Sequence, residues 1–112
     1  MRKITLEPVS CPKLEINGNV FELKMSDIDI MTMADEMRAK YAELAQQKAS
    51  STDVLNAAKE VAGCIDKVLG KGAVQKICKG KPVSIATAMK WLTQIAEAAM
   101  EEYASELERK NE

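Results

Sequence analysis

The chain has 112 residues, of which 46% are hydrophobic and 29% are charged, and its formal net charge is -1. This length supports one domain with a modest core, and the near-neutral charge argues against a general attraction to nucleic acid or to anionic membranes. Histidine is absent, which excludes Ser-His and Cys-His nucleophiles and the usual zinc sites, since no CxxC pair replaces them. We therefore expect no enzyme activity, no catalytic residues, no cofactor and no metal.

The cysteine count and the hydropathy pattern bear on where the protein resides. Cys11, Cys64 and Cys78 leave one cysteine over under any disulfide scheme, which predicts reduced thiols in a reducing compartment. No apolar run is long enough to span a membrane. Pro8 and Pro12 interrupt the segment that follows the basic first three residues, so a signal peptide is not indicated. We expect a cytoplasmic protein with no membrane partner.

The first 25 residues carry strand patterns. In 1–12, Ile4 and Leu6 alternate with polar residues before a proline, which predicts a partly ordered arm or a third, edge strand. In 13–25, alternating apolar residues flank Asn17-Gly18-Asn19, which predicts a β-hairpin. Two interpretations of the hairpin stay open: it caps the helices, or its free edge accepts a strand from a neighbouring subunit or partner.

A first amphipathic helix follows at about 27–47. Ser26 and Asp29 approximate a capping box at its start. Its predicted apolar stripe consists of Ile30, Met33, Ala34, Met37, Tyr41 and Leu44. Methionines adapt to irregular surfaces, so Met33 and Met37 fit either the core or a partner-binding face.

The second helix and the turn after it are the best-defined part of the pattern. Thr52-Asp53 is predicted as the N-cap and Gly70 as the C-cap. Between them runs one continuous predicted stripe of Val54, Leu55, Ala58, Val61, Ala62, Ile65, Val68 and Leu69. Ala73, Val74 and Ile77 then predict a short helix that folds back on the second helix and ends at 80–82.

Lysines are concentrated between Asp66 and Glu97, where no acidic residue occurs. The glycines and lysines of this interval do not have the P-loop spacing, and arginines and stacking aromatics for nucleic-acid binding are lacking. A solvated lysine face is the simpler interpretation, and a nucleic-acid partner is not expected.

The last helix is predicted at 85–107, with Ser84 as its N-cap and a frayed tail at 108–112. Its main stripe is flanked by Met89 and Met100 on one side and by Trp91 on the other, so the apolar arc is wider than one packing contact needs. Either the hairpin and the short helix cover the flanks, or another chain does.

Together these patterns predict one domain over 1–112 of the α+β class, mostly helical. The N-terminal hairpin, with the optional third edge strand, packs on a helical core at 26–107 that contains three longer helices and one short helix.

The order of elements resembles a known family. A hairpin at 14–23, a capped helix, a helix ending in Leu69-Gly-Lys-Gly-Ala73 before Ile77, and one long last helix look like the tail assembly chaperones of long-tailed phages and prophages. The resemblance implies a non-enzymatic, oligomeric protein of the host cytoplasm that binds the tape-measure protein and tail-tube subunits. The residues expected to make such contacts are Met33, Met37, Met89, Trp91 and Met100.

A second function class remains open. Small mobile-element proteins without catalytic residues also act as inhibitors that bind a host enzyme or a defence complex such as a CRISPR effector. The acidic last helix could imitate a nucleic-acid backbone, although the near-neutral net charge is unusual for such a mimic. Self-association, or binding to apolar peptides, would favour the chaperone.

Overall fold

The computed structural model describes residues 1–6, 11–46, 50–81 and 83–111, and only the backbone of 107–111. Over these residues the chain forms a two-stranded antiparallel hairpin packed on three long helices and one short helix. The predicted α+β, mostly helical class is therefore confirmed. The core is apolar, and within the described ranges it contains no buried polar or charged residue.

The predicted hairpin is present. Strands β1 (Lys13–Ile16) and β2 (Asn19–Glu22) pair in a register that places Leu14 opposite Phe21, and both of these side chains are buried. Asn17 and Gly18 connect the strands with φ values of 51° and 82°, the left-handed conformations that a two-residue type I′ turn requires.

The optional third strand does not form over residues 1–6. This segment has no regular secondary structure, and Ile4 and Leu6 are 73% and 86% exposed. Residues 7–10, which include Pro8, lie outside the described residues. The alternation of Ile4 and Leu6 with polar residues is typical of a strand, but it does not predict whether another strand pairs with this segment.

Helix α1 (Asp27–Gln46) begins where the capping pattern predicted. Ser26 Oγ accepts a hydrogen bond from the Asp29 N–H at 3.2 Å. Ile30, Ala34 and Met37 are buried, and the helix packs mainly against the last helix of the chain.

Helix α2 (Ser51–Leu69) begins two residues earlier than predicted. Its N-cap is Ser50, whose Oγ accepts a hydrogen bond from the Asp53 N–H at 3.1 Å, while Asp53 Oδ2 accepts one from the Ser50 N–H at 3.3 Å. The prediction of Thr52-Asp53 as the N-cap was wrong because Asp53 closes the capping box from the third helical position.

The apolar stripe of α2 reaches the core only in its second half. Val54 and Leu55 are 40% and 55% exposed, whereas Val61, Ile65 and Val68 are buried. The predicted apolar stripe is therefore continuous in sequence but is exposed at Val54 and Leu55 and buried only from Val61 onward.

The turn after α2 is held by Asp66. The Gly70 N–H donates to the main-chain oxygen of Asp66 at 2.7 Å, and Gly70 has a φ of 115°, which confirms its role as the C-cap. Helix α3 (Ala73–Cys78) follows, and its N-cap is Gly72, which has no side chain. Asp66 supplies the missing cap: its carboxylate accepts hydrogen bonds from the Val74 N–H at 2.9 Å and the Gly72 N–H at 3.4 Å.

Helix α4 (Ile85–Asn111) begins after Ser84, whose Oγ accepts from the Thr87 N–H at 3.1 Å. Its wide apolar arc contacts α1, α2 and β1, so three elements share its coverage. The helical backbone continues to Asn111, whereas the sequence predicted an end at 107 and a frayed tail at 108–112; residue 112 itself lies outside the described residues.

Candidate functional site

The most distinctive surface feature is an apolar groove between the hairpin and α4. It has a volume of about 360 Å³. We call it the hairpin groove; its lining consists of Leu14, Glu15, Ile16, Asn17, Ile77, Trp91, Gln94, Ile95 and Ala98. Trp91, the only tryptophan of the chain, is half-buried there. A half-exposed aromatic side chain in an apolar groove is typical of a protein-binding surface.

One edge of the hairpin adjoins this groove. In a hairpin with a two-residue turn, the pairs Ile16–Asn19 and Leu14–Phe21 exchange main-chain hydrogen bonds, and the Leu23 N–H continues the pattern by donating to the Pro12 oxygen at 2.9 Å. The main-chain groups of Lys13 and Glu15 therefore point away from β2. Among the described residues none forms a hydrogen bond with these groups, so β1 presents an open strand edge.

The other edge and the base of the hairpin are fastened to the helices. The Lys24 N–H donates to the Val68 oxygen at 2.8 Å, which ties the end of β2 to α2. The Tyr103 hydroxyl donates to the Met25 oxygen at 2.7 Å, which ties the base of the hairpin to the C-terminal third of α4. Burial raises the pKa of this hydroxyl, with smaller contributions from Cys11 and Asp27. The hairpin is thus fixed on one side, and its other edge has no partner among the residues that the structure describes.

The structure separates the five residues predicted to bind a partner. Trp91 lines the hairpin groove. Met37 and Met89 are buried in the hydrophobic core, at 6% and 7% exposure, so neither side chain is accessible to a partner in this fold. Met33 and Met100 are half-buried and do not line the groove, and Met100 lies 180° around α4 from Trp91.

Sequence reasoning did not single out Ile16, Asn17 and Gln94 as site residues. Gln94 and Ala98 follow Trp91 at helical spacing, and Leu14 and Ile16 share one face of β1. The sequence therefore predicts which residues share a face on each element separately. What brings the two halves together is the contact between β1 and α4, which local patterns do not predict.

A second depression lies between α1 and α2 and has a volume of about 430 Å³. Its lining is mostly polar, and Lys40 Nζ and Glu60 Oε1 form an ion pair there at 2.5 Å. The hydrogen bond with Glu60 raises the pKa of Lys40. Because both side chains are exposed, this pair contributes little to specificity or stability.

The described residues contain no cluster of side chains placed to hold a metal ion. In 1–6, 11–46, 50–81 and 83–106 no group of three or more acidic or cysteine side chains is placed to hold a metal ion. Burial raises the pKa of the Cys64 thiol, which disfavours the reactive thiolate. The lysines between Asp66 and Glu97 are exposed, as a solvated face requires. Of the described helices, none combines the length and apolar character needed to cross a bilayer.

Comparisons with known proteins give a family but no activity. No curated protein and no solved structure matches the chain significantly. A family model matches residues 17–112, which include β2 and all four helices. The chain therefore belongs to the family of unknown function DUF6673.

Proposed function

We propose that this protein is a non-enzymatic protein-binding module that acts as a phage tail assembly chaperone. In this role it binds the tape-measure protein and tail-tube subunits in the cytoplasm of the host. The support for the specific role is the resemblance in element order described above. The support for protein binding is physical and comes from the hairpin groove.

One observation carries the proposal: an apolar groove containing Trp91 runs beside the open edge of β1. An extended segment of a partner could form main-chain hydrogen bonds with Lys13 and Glu15 and place alternate side chains in the groove. Strand addition of this kind takes its affinity from the main chain, so it tolerates varied partner sequences. Such tolerance suits a chaperone, which has to hold a long client through repeated weak contacts.

The test is co-expression of the tagged protein with the tape-measure and tail-tube proteins encoded in the same genome. We expect co-purification with the wild type and loss of it with Gln94→Arg, which places a long charged side chain in the groove at an exposed position. Leu55→Arg is the matched control, since Leu55 is 55% exposed on α2 and does not line the groove.

Trp91 supplies a second readout for the same test. Because it is the only tryptophan of the chain, its fluorescence reports on the groove when the added client segment contains no tryptophan. A client segment bound in the groove should shift the emission to shorter wavelength by excluding water. Co-purification that is unchanged by Gln94→Arg, with no change in Trp91 emission, would refute the groove as the binding site.

A further inference from the structure

Lysines surround the short helix α3. They lie on α3 itself, on the turns at its two ends, on the last turn of α2 and just after β2, and we call them the lysine surface: Lys24, Lys67, Lys71, Lys76, Lys79 and Lys81. All of them are exposed. In the described part of the chain, none of them forms an ion pair.

The packing of α3 gathers these lysines at one corner of the molecule. The Lys24 N–H donates to the Val68 oxygen at 2.8 Å, and the Lys24 Cε atom lies 3.7 Å from the position that a Cβ atom on Gly70 would occupy. Helix α3 packs against both α2 and β2. The first turn of α3 is buried, so Lys76 and Lys79 lie on its outer face.

Few carboxylates oppose this charge. Asp66 is the acidic residue of the turn, and its carboxylate already accepts hydrogen bonds from the Gly72 and Val74 N–H groups. Glu22, at the end of β2, lies opposite Lys13 of β1. No acidic residue occurs from 67 to 96. The lysine surface is therefore a region of positive potential on a chain whose net charge is -1.

Lys79 occupies a position where lysine is unfavourable for the fold. It is the C-cap of α3 and has a φ of 53°, in the left-handed region. Glycine and asparagine adopt this conformation at lower cost than a lysine does. The fold therefore gains nothing from lysine here, whereas the outer face of α3 gains a charge.

The lysine surface adjoins the hairpin groove. Ile77 of α3 lines the groove, and in the chain it lies between Lys76 and Lys79. A partner that occupies the groove therefore lies beside these two lysines. Glu15, the charged residue of the groove lining, lies on β1, so acidic residues of a partner are expected next to its groove-bound segment rather than within it.

The residue types favour an acidic polypeptide over a nucleic acid. The chain has no arginine between Arg38 and Arg109, and the lysine surface contains no aromatic residue. Arginine forks and stacking aromatics are typical of nucleic-acid binding, whereas a lysine ammonium group pairs with a carboxylate as a point charge.

We propose that the lysine surface binds an acidic segment of the same partner protein that occupies the hairpin groove. The inference rests on the proposed function in one respect, namely that a partner segment lies in the groove. The groove supplies main-chain and apolar contacts that accept varied sequences, and the lysines select the clients that carry acidic residues beside the bound segment and speed their association.

The first experiment measures peptide binding by fluorescence anisotropy. The probe is a labelled peptide without tryptophan, in which an alternating Val-Thr segment is flanked on both sides by glutamates, and the matched peptide has serines in place of the glutamates. We expect the acidic peptide to bind about tenfold or more tightly than the serine peptide at low salt. The difference should shrink at high salt, because exposed charges are screened.

Three results of this experiment would overturn the proposal. The first is equal affinity for the two peptides, and the second is tighter binding of a single-stranded oligonucleotide of the same charge. The third is salt-sensitive self-association of the protein that prevents peptide binding, which would make the acidic α4 of a second copy the occupant.

The second experiment uses variants in which stability and binding should change in opposite directions. Lys79→Gly should raise the melting temperature, because glycine accepts the left-handed conformation, yet weaken binding of the acidic peptide about threefold. Lys76→Gln should weaken binding by a similar factor. The matched control is Lys59→Gln, which removes the same charge from an exposed position two turns before Lys67 and should leave the affinity unchanged. Equal losses with Lys59→Gln and Lys79→Gly would overturn the proposal, because overall charge alone would then explain the binding.

Trp91 emission, measured with the unlabelled peptides, separates failure of this inference from failure of the proposed function. Equal affinities and equal emission shifts with the acidic and serine peptides would retain the groove and reject the lysine surface. Acidic-peptide binding that depends on Lys76 and Lys79, but that leaves Trp91 emission unchanged and is insensitive to Gln94→Arg, would retain the lysine surface and reject the groove.

Discussion

Replacing Asp66 by alanine should remove the side-chain cap of α3. The Asp66 carboxylate is partly buried and accepts hydrogen bonds from the Val74 N–H at 2.9 Å and the Gly72 N–H at 3.4 Å. Because Gly72 has no side chain, the structure offers α3 no other N-terminal cap. Asp66→Ala leaves two main-chain donors without their partner at the turn that joins α2 to α3.

The size of the effect follows from these two bonds. A hydrogen bond to a charged group contributes about 1.5–3 kcal/mol, and the longer bond to Gly72 adds little. Water can reach part of this site, so we expect Asp66→Ala to lower the free energy of unfolding by about 2 kcal/mol. Asp66→Asn keeps one acceptor oxygen for Val74 but loses the charge and the second acceptor, so about half of that loss is expected.

Urea unfolding followed by circular dichroism measures this difference, with the slope of the transition as a check that the comparison remains two-state. Asp35→Ala is the matched control, because Asp35 forms only an exposed ion pair with Arg38, and its loss should cost less than about 0.5 kcal/mol. If Asp66→Ala is no more destabilising than Asp35→Ala, the capping role of Asp66 is refuted.

Three further experiments test the attachment of the hairpin and the burial of Cys64. Tyr103→Phe removes the hydrogen bond to the Met25 oxygen and should lower the free energy of unfolding by about 1 kcal/mol, measured by urea unfolding; an unchanged midpoint would contradict this. Alkylation of the native protein, followed by mass spectrometry, should modify exposed Cys11 much faster than buried Cys64, because burial raises the pKa of the Cys64 thiol. Equal alkylation rates would contradict the burial of Cys64. The folded Cys64 thiol holds its proton to a higher pH than the unfolded one, so stability should decrease as the pH rises above the ordinary thiol pKa of 9.0. Cys64→Ala should show a smaller decrease, because the raised pKa values of Lys40 and Tyr103 also reduce stability at high pH.

Local signals predicted most of the fold. The Asn17-Gly18 turn, flanked by alternating apolar residues, identified the hairpin because few residues accept positive φ at both turn positions. Gly70 and Ser84 marked the end of one helix and the start of another for similarly local reasons. Turns and helix caps depend on main-chain conformation and hydrogen bonds within a few residues. Sequence patterns therefore predict them without knowledge of the tertiary packing.

The errors have a common physical origin in long-range packing. Val54 and Val61 belong to the same periodic stripe, yet Val54 is 40% exposed and Val61 is 3% exposed. Periodicity predicts which face of a helix is apolar, but it does not predict whether another element lies opposite. The hairpin groove depends on the same kind of information, because the Tyr103 bond that fixes the hairpin on α4 joins residues 78 positions apart in the chain.

The uneven packing of α2 divides this helix into two parts of different local stability. Its first two turns are held by main-chain hydrogen bonds and by the Ser50–Asp53 capping box, which contributes about 1 kcal/mol. Its last turns, from Val61 onward, are part of the core, so we expect them to open only when the domain unfolds. Amide hydrogen exchange should therefore change sharply within one continuous helix, from fast local fraying at Val54 to the slow exchange of global unfolding at Ile65.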